Sequence, residues 1–348
     1  MDKQVGLLRR QADACARLGS PMYAALLTRL ADDLREGGPT ATVLAGHEDT
    51  PGPSALGLRL LGSVHRLVLD RRAGALATYY PSVGGSWEPD GGWAALRDLL
   101  ATEPAAVREW LDRPPQTNEV GRAGALLGGL LRLGESVRLP VRLAEIGSSG
   151  GLNLLADRFG YVDEAGTTYG DPDAALVLPG AWAGRTLVPW PELRFVEAVG
   201  SDVLPVDTAS TEGRLTLTAY VWADQVSRFQ RLRTALDLAQ QKGVEVRRQD
   251  AVSFVEGLEL RAGTTTVLWH SVMWQYLTPD EQSAVTARVD ALGAAATPHA
   301  PFAHLFLEPT RRAPGGEHEF LVVLQAWPNG VRRVLGASVG HGLPTTWE

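Results

Sequence analysis

One stretch constrains this chain more than any other. Val141-Arg142-Leu143-Ala144-Glu145-Ile146 reads as a short strand, Gly147-Ser148-Ser149-Gly150-Gly151 follows as a turn, and residues 152–159 read as helix. Glycines let a backbone turn tightly and let a ligand approach it closely. A helix start then presents unpaired N–H groups. In open α/β sheets ligands sit beyond the carboxyl ends of the strands. The same turn is also an ordinary strand-to-helix connection, and both readings stand.

The chain changes style just before this point. In residues 1–40, Leu7, Leu8, Ala14 and Leu18, then Tyr23, Leu26, Leu27, Leu30 and Leu34, recur at helical spacing. Ser20-Pro21 suits a cap and first turn. Further helices are predicted over 55–69, over 93–111, and from about 120 to 133, the last preceded by Gln116-Thr117-Asn118-Glu119. Residues 1–138 therefore read as an all-helical N-terminal lid domain. From 139 to 348 strands alternate with helices. Strands are predicted at 141–146, 215–221, 244–248, 265–270 and 303–307, helices at 225–241 and 278–292, and a closing hairpin at 319–326 and 331–339. That alternation predicts a mainly parallel sheet covered on both faces. About 160–212, rich in Gly, Pro and Asp, reads as an insertion of small strands and loops.

Composition excludes several classes. The net charge is −7, with 40 acidic against 33 basic residues, so no general electrostatic case exists for nucleic acid. Cys15 is the single cysteine, which removes intrachain disulfides and cysteine-based zinc sites. The histidines show no close ligand spacing, so no metal is expected. No apolar run reaches the roughly 18 to 20 residues of a membrane helix, and residues 1–10 hold no secretory apolar stretch. A cytoplasmic protein acting on a small molecule is expected, with a homo- or hetero-oligomer left open. No Gly-Lys-Ser/Thr phosphate loop occurs.

Two acids fall where later strands are predicted to end, Asp224 after 215–221 and Asp250 after 244–248. A carboxylate after the second strand can accept both hydroxyls of a ribose, and one after the third can accept the amine of adenine. Each is equally a helix cap or turn residue. Asp202 competes with Asp224 for the second strand's end.

The order of glycine turn, acid, Asp250-Ala251, a histidine-bearing fourth strand and a terminal hairpin resembles the class I S-adenosylmethionine-dependent methyltransferase fold. More closely, the chain resembles a bacterial family of uncharacterised, methyltransferase-like proteins. Five segments carry that likeness: residues 116–122, 145–154, 221–225, 270–277, and His341-Gly342. The resemblance implies a Rossmann-like sheet, mostly parallel, and an S-adenosylmethionine site. Glu145, Gly147, Ser149, Gly151 and Asn153 would line its methionine and ribose side, Asp224 the ribose, and Asp250 with Ala251 the adenine edge. Ser149 stands where such turns usually carry their central glycine.

The reactive end is expected at the fourth strand. His270 is the first candidate base and Glu119 the second, with Arg122 suited to an anionic substrate group. Ser271, Trp274 and Tyr276 would face the acceptor, with Tyr80, Gln116 and Asn118 as further substrate contacts. The plain alternatives are a strand-end histidine bonded to backbone, aromatic core packing and a helix cap. Three functions follow: methyl transfer to a small molecule; the same fold without the cofactor, catalysing elimination or intramolecular alkyl transfer on an anionic amino-acid-like metabolite; or a non-catalytic partner subunit.

Overall fold

A computed structural model describes residues 2–51, 55–111 and 115–348. It divides into two compact units, Met1–Thr117 with Ser210–Arg233, and Asn118–Ala209 with Thr234–Glu348.

The first unit is helical. It holds α1 (Asp2–Arg17), α2 (Pro21–Arg35), α3 (Pro39–Val43), α4 (Leu56–Leu69), α5 (Pro89–Thr102) and α6 (Pro104–Leu111). As expected, Ser20 caps α2, its Oγ accepting the Tyr23 N–H at 3.2 Å, with Pro21 in the first turn. The expected helix over 93–111 is broken at Glu103, because Pro104 cannot donate to the preceding turn. Leu26, Leu30, Leu60, Val64, Leu96 and Leu100 meet in one core. After α7 (Ala123–Leu133) in the second unit, the chain returns to the first for α8 (Thr211–Ala219) and the start of α9 (Val226–Lys242).

That return corrects two expectations. Residues 215–221 are rich in β-formers, yet 211–219 is helix. Ser210 caps it, Oγ accepting Gly213 N–H at 3.0 Å, and Gly213 and Leu217 are buried one helical turn apart. A cap and a buried stripe outweigh the weak strand propensity of Leu-Thr-Leu-Thr. The helical unit also differs from residues 1–138, since α7 is buried along its whole length in the sheet unit.

The second unit is α/β around one mixed, mostly parallel sheet. Its strands are β1 (Val141–Ile146), β2 (Gly160–Asp163), β3 (Thr168–Gly170), β4 (Val177–Gly184), β5 (Phe195–Asp202), β6 (Glu245–Arg248), β7 (Thr265–Ser271), β8 (Phe302–Thr310), β9 (Glu319–Trp327), β10 (Val331–Ser338) and β11 (Thr345–Trp347). Their order is β3-β2-β4-β11-β10-β9-β8-β7-β1-β5-β6. From β8 through β6 every neighbour is parallel, while β9 and β10 form the expected hairpin, antiparallel to each other and to β8 in the middle of the sheet. Helices α10 (Ala251–Glu256) and α11 (Pro279–Ala295) cover one face, where Ala144, Ile146, Leu268, Phe254 and Val285 pack. On the other face α7 lies close, since a Cβ on Gly129 would stand 2.7 Å from Leu305.

The segment expected as an insertion does two different things. Strands β2, β3 and β4 extend the far edge of the sheet through β11, whereas 195–202 is β5, the parallel partner of β1. Residues 186–188, a short apolar run within that segment, are irregular.

Candidate functional site

The site grows from β1. All six of its residues are buried, and it is paired on both sides. Side chains alternate along a strand. Ala144 and Ile146 enter the core under α10 and α11, so Glu145 points to the opposite face, beside its register partner Trp269 on β7. Glu145 is 2% exposed. Burial pushes its carboxyl up to about 8, and Asp202 adds to that shift. The Asn153 and Trp269 side chains and the Arg122 charge pull the other way. Among the described residues, Glu145 Oε2, Asn153 Oδ1 and Trp269 Nε1 are buried without a hydrogen-bond partner. The Trp269 and Asn153 side chains lie close enough to bond the Glu145 carboxyl, so the acceptors Glu145 Oε2 and Asn153 Oδ1, each costing about 1–3 kcal/mol if left unbonded, are the atoms that mark a place for a ligand.

The glycine turn follows directly. Gly147, Ser149 and Gly151 have φ of 69°, 53° and 72°, all left-handed. At Gly151 glycine is needed twice over, since a Cβ there would stand 2.7 Å from Val246 Cγ2. Three of the turn's N–H groups and that of the next residue are committed to protein acceptors. Ser148 donates to Ser201 O at 3.0 Å and Gly151 to Ser148 O at 2.8 Å. Ser149 donates to Asp202 Oδ2 and Leu152 to Asn118 Oδ1, each at 2.9 Å. Residues Leu152–Arg158 then form a 3-10 helix in place of the expected α-helix, with Asn153 in its first turn.

Arg122 anchors this region to two other loops. Its Nε donates to Gly340 O at 3.1 Å and its Nη1 to Ser271 O at 3.2 Å. Glu119 Oε1 accepts the Gly121 N–H at 3.0 Å and caps the short turn Val120–Arg122. Tyr276 lies in the 3-10 turn Trp274–Tyr276 and is 47% exposed.

Several expected residues sit elsewhere. Asp202 ends the second parallel strand, not Asp224, because β5 is the neighbour of β1. Asp224 belongs to the first unit and serves the start of α2, accepting Ser20 Oγ at 2.6 Å and the Met22 N–H at 3.0 Å. Tyr80 is fully buried in the first unit's core, its ring 5.6 Å from His65, and Gln116 is a buried residue of the same unit. Asp250 does follow β6, where it caps α10 through Ser253 N and Oγ, each at 2.8 Å; those bonds hold its carboxyl below the usual range. Ala251 begins that helix and is buried.

His270 is adjacent to Trp269 in the strand and so faces away from Glu145. Both ring nitrogens are engaged, Nδ1 with Glu308 Oε1 at 2.8 Å and Nε2 with His304 Nε2 at 3.0 Å. Trp274 stacks on its ring at 5.1 Å. Sequence reasoning missed Glu308, although an acid closing the apolar run 302–307 was its visible signal. It also missed Trp269, which sits inside the predicted strand 265–270 beside the chosen His270.

The fold and site define an α/β protein with a buried, partly unsatisfied polar cluster at the carboxyl end of its first parallel strand. The chain belongs to the family described as "Uncharacterized protein conserved in bacteria (DUF2332)", whose model matches residues 6–347. Comparison with curated proteins and with solved structures finds no match. Among the described residues, no helix is long and apolar enough to cross a membrane.

Proposed function

We propose that the second unit binds S-adenosylmethionine at the carboxyl end of β1 and supports methyl transfer to a small molecule. One observation carries this reading: the buried Glu145 carboxyl keeps an unpartnered oxygen beside the unpartnered Asn153 Oδ1. The strand order supports it. β6, β5, β1, β7 and β8 run parallel in the order 3-2-1-4-5, which reverses direction around β1, and such a switch point is where open sheets take ligands.

The residues present fit this cofactor better than a phosphate-bearing one. The turn's Ser148, Ser149, Gly151 and Leu152 N–H groups are already bonded, and Asp202 stands beside them. A nucleotide phosphate would meet few free donors and the Asp202 carboxyl. A ligand with an amino group and a positive sulfur meets acceptors. Glu145 and Asn153 are placed to accept from the amino group. Asp202 uses one lone pair on each oxygen for Ser149 and Leu204, which leaves acceptor capacity for ribose hydroxyls. Asp250 and Ala251 are the proposed adenine side.

The cofactor supplies an activated methyl group with its leaving group attached. What the chain contributes is position, and holding reactants in line accounts for much of such a rate enhancement. Arg122, tied to the backbone at 340 and 271, holds the loops around the acceptor, and Tyr276 and Ser271 offer it a partly open wall. Titration calorimetry with S-adenosylhomocysteine tests the reading. Saturable heat that disappears in Glu145→Gln is expected; the absence of heat at high ligand concentration removes the cofactor.

A second reading, the same site without the cofactor, is favoured by the closure of the turn. Ser149 bonds Asp202 through its N–H and Val206 N–H through its carbonyl at 3.1 Å, and Ser148 and Ser149 are buried. A smaller amino-acid-like metabolite would then occupy the Glu145–Asn153 cluster, with Arg122 nearby for its carboxylate. Mass spectrometry of small molecules released from the purified protein separates the two, since a co-purified nucleoside supports the first reading alone.

A further inference from the structure

The turn after β7 is held in an unfavourable backbone conformation. Val272 has φ 51°, a left-handed value that a β-branched residue rarely adopts. Such strain persists where the surroundings over-determine it, and it gathers at functional sites. Here the surroundings are explicit. The Val272 N–H donates to Leu307 O at 3.0 Å. The Met273 and Trp274 N–H groups both donate to Glu308 Oε1, at 3.0 and 3.2 Å. Ser271 O accepts from Arg122.

Glu308 is fixed in turn by His270, whose Nδ1 lies 2.8 Å from the same oxygen. The His270 ring is held by stacking on Trp274 and Phe306, each with centroids 5.1 Å away. The strained turn then bears on the glycine turn. A Cβ on Gly147 would stand 2.9 Å from both Cβ and Cγ of Met273. A chain of contacts thus runs from His270 through Glu308 and Met273 to Gly147, two residues past Glu145.

We propose that His270 and Glu308 are a positioning pair that seats the turn 271–274 against Gly147 and so sets the width of the Glu145 site from the opposite face of the sheet. The proposal rests on the Glu145 cluster being the binding site, whatever its ligand. It gives His270 a role that its engaged nitrogens allow, in place of the base its position in the sequence suggested. Glu308 is matched to that role because one carboxylate oxygen gathers two successive backbone N–H groups and an imidazole.

Hydrogen exchange measured by mass spectrometry on the full chain tests this, with S-adenosylhomocysteine calorimetry in parallel. Glu308→Ala removes the acceptor of two amides, so exchange over 271–277 and also over 145–151 is expected to rise about tenfold. Glu308→Gln keeps a carbonyl acceptor and is expected to restore protection in both segments. Met273→Ala leaves the pair intact and is expected to loosen 145–151 alone. Loosening of 271–277 in Glu308→Ala with 145–151 at the wild-type rate overturns the proposal. If Glu308→Ala loosens the whole sheet, Met273→Ala decides, and an unchanged 145–151 segment overturns it. Wild-type protein that gives no heat with S-adenosylhomocysteine sinks the cofactor reading, while the exchange coupling stands or falls by itself.

Discussion

Asp202 and Ser149 are joined by a bond of 2.9 Å from the Ser149 N–H to Asp202 Oδ2, which ties the end of β5 to the left-handed centre of the turn after β1. Asp202 Oδ1 also accepts the Leu204 N–H at 2.8 Å. Asp202→Ala orphans both donors, and a loss of about 1–3 kcal/mol of unfolding free energy is expected in urea titrations. Affinity for S-adenosylhomocysteine is expected to fall at least about tenfold, one hydrogen bond to a charged acceptor being worth that much. An unchanged urea midpoint would mean that the carboxylate does not hold the turn.

Glu145 couples stability to pH in the direction opposite to most carboxyls. Its folded value of about 8 lies above the ordinary 4.5, so burial disfavours the ionised form. Its contribution is fully present below about pH 4.5 and is lost as pH rises toward 8. At neutral pH the cost is about 3 kcal/mol. Glu145→Gln removes the charge and is expected to raise unfolding free energy at pH 7 to 8 by on the order of 1–3 kcal/mol, while abolishing ligand binding. Chemical denaturation at pH 5 and pH 8 checks this, because the gain should shrink at the lower pH. Equal gains at both would show that Glu145 does not titrate between them.

How much of this could be read beforehand depended on whether the information was local. The strand 141–146 and its glycine turn were legible because strand, turn residues and apolar alternation agreed. The parallel strands at 244–248, 265–270 and 303–307 and the closing hairpin were legible for the same reason. β5 was hidden in a segment that looked like an insertion, since only Val199, Gly200 and Ser201 of its eight residues are buried. With β5 hidden, the second strand was sought at 215–221, and the ribose role went to Asp224. His270 was assigned to the site because it ends a strand there. Which face a strand residue takes is set by register with the neighbour, and the pairing of Glu145 with Trp269 is a long-range fact.

Ser149 offers a direct measure of strain. A non-glycine residue at φ 53° costs about 1 kcal/mol or more. Ser149→Gly is expected to raise the urea unfolding free energy by about 0.5–1 kcal/mol, since the flexibility glycine adds to the unfolded chain offsets part of the relief. A destabilised variant would show that the serine side chain contributes more than its backbone costs.

His65 predicts acid sensitivity in the first unit. It is fully buried, with Nδ1 3.0 Å from Ala219 O and Nε2 2.8 Å from Ser82 Oγ, so a neutral ring donating to the carbonyl and accepting from the hydroxyl satisfies both. Burial depresses its value from 6.5 to about 4. The unfolded chain therefore takes up the proton first. Stability from this group is intact above about pH 6.5 and is lost as pH falls toward 4, by about 3 kcal/mol in full. Urea midpoints between pH 7 and pH 4 should fall in the wild type and fall less in His65→Gln. Parallel pH profiles for the two would remove His65 as the cause.

Asp224 separates the two parts of the chain most cleanly. Its carboxylate receives Ser20 Oγ and the Met22 N–H at the first turn of α2, where a negative charge also meets the positive end of the helix. Asp224→Ala is expected to cost about 1–2 kcal/mol, the value of a lost helix cap. The loss should appear as faster hydrogen exchange over 20–35, with exchange over 141–155 unchanged. Affinity for S-adenosylhomocysteine should stay at the wild-type value. A tenfold loss of affinity with stability intact would instead return Asp224 to the ribose, and Asp202 would then be only the clasp of its turn.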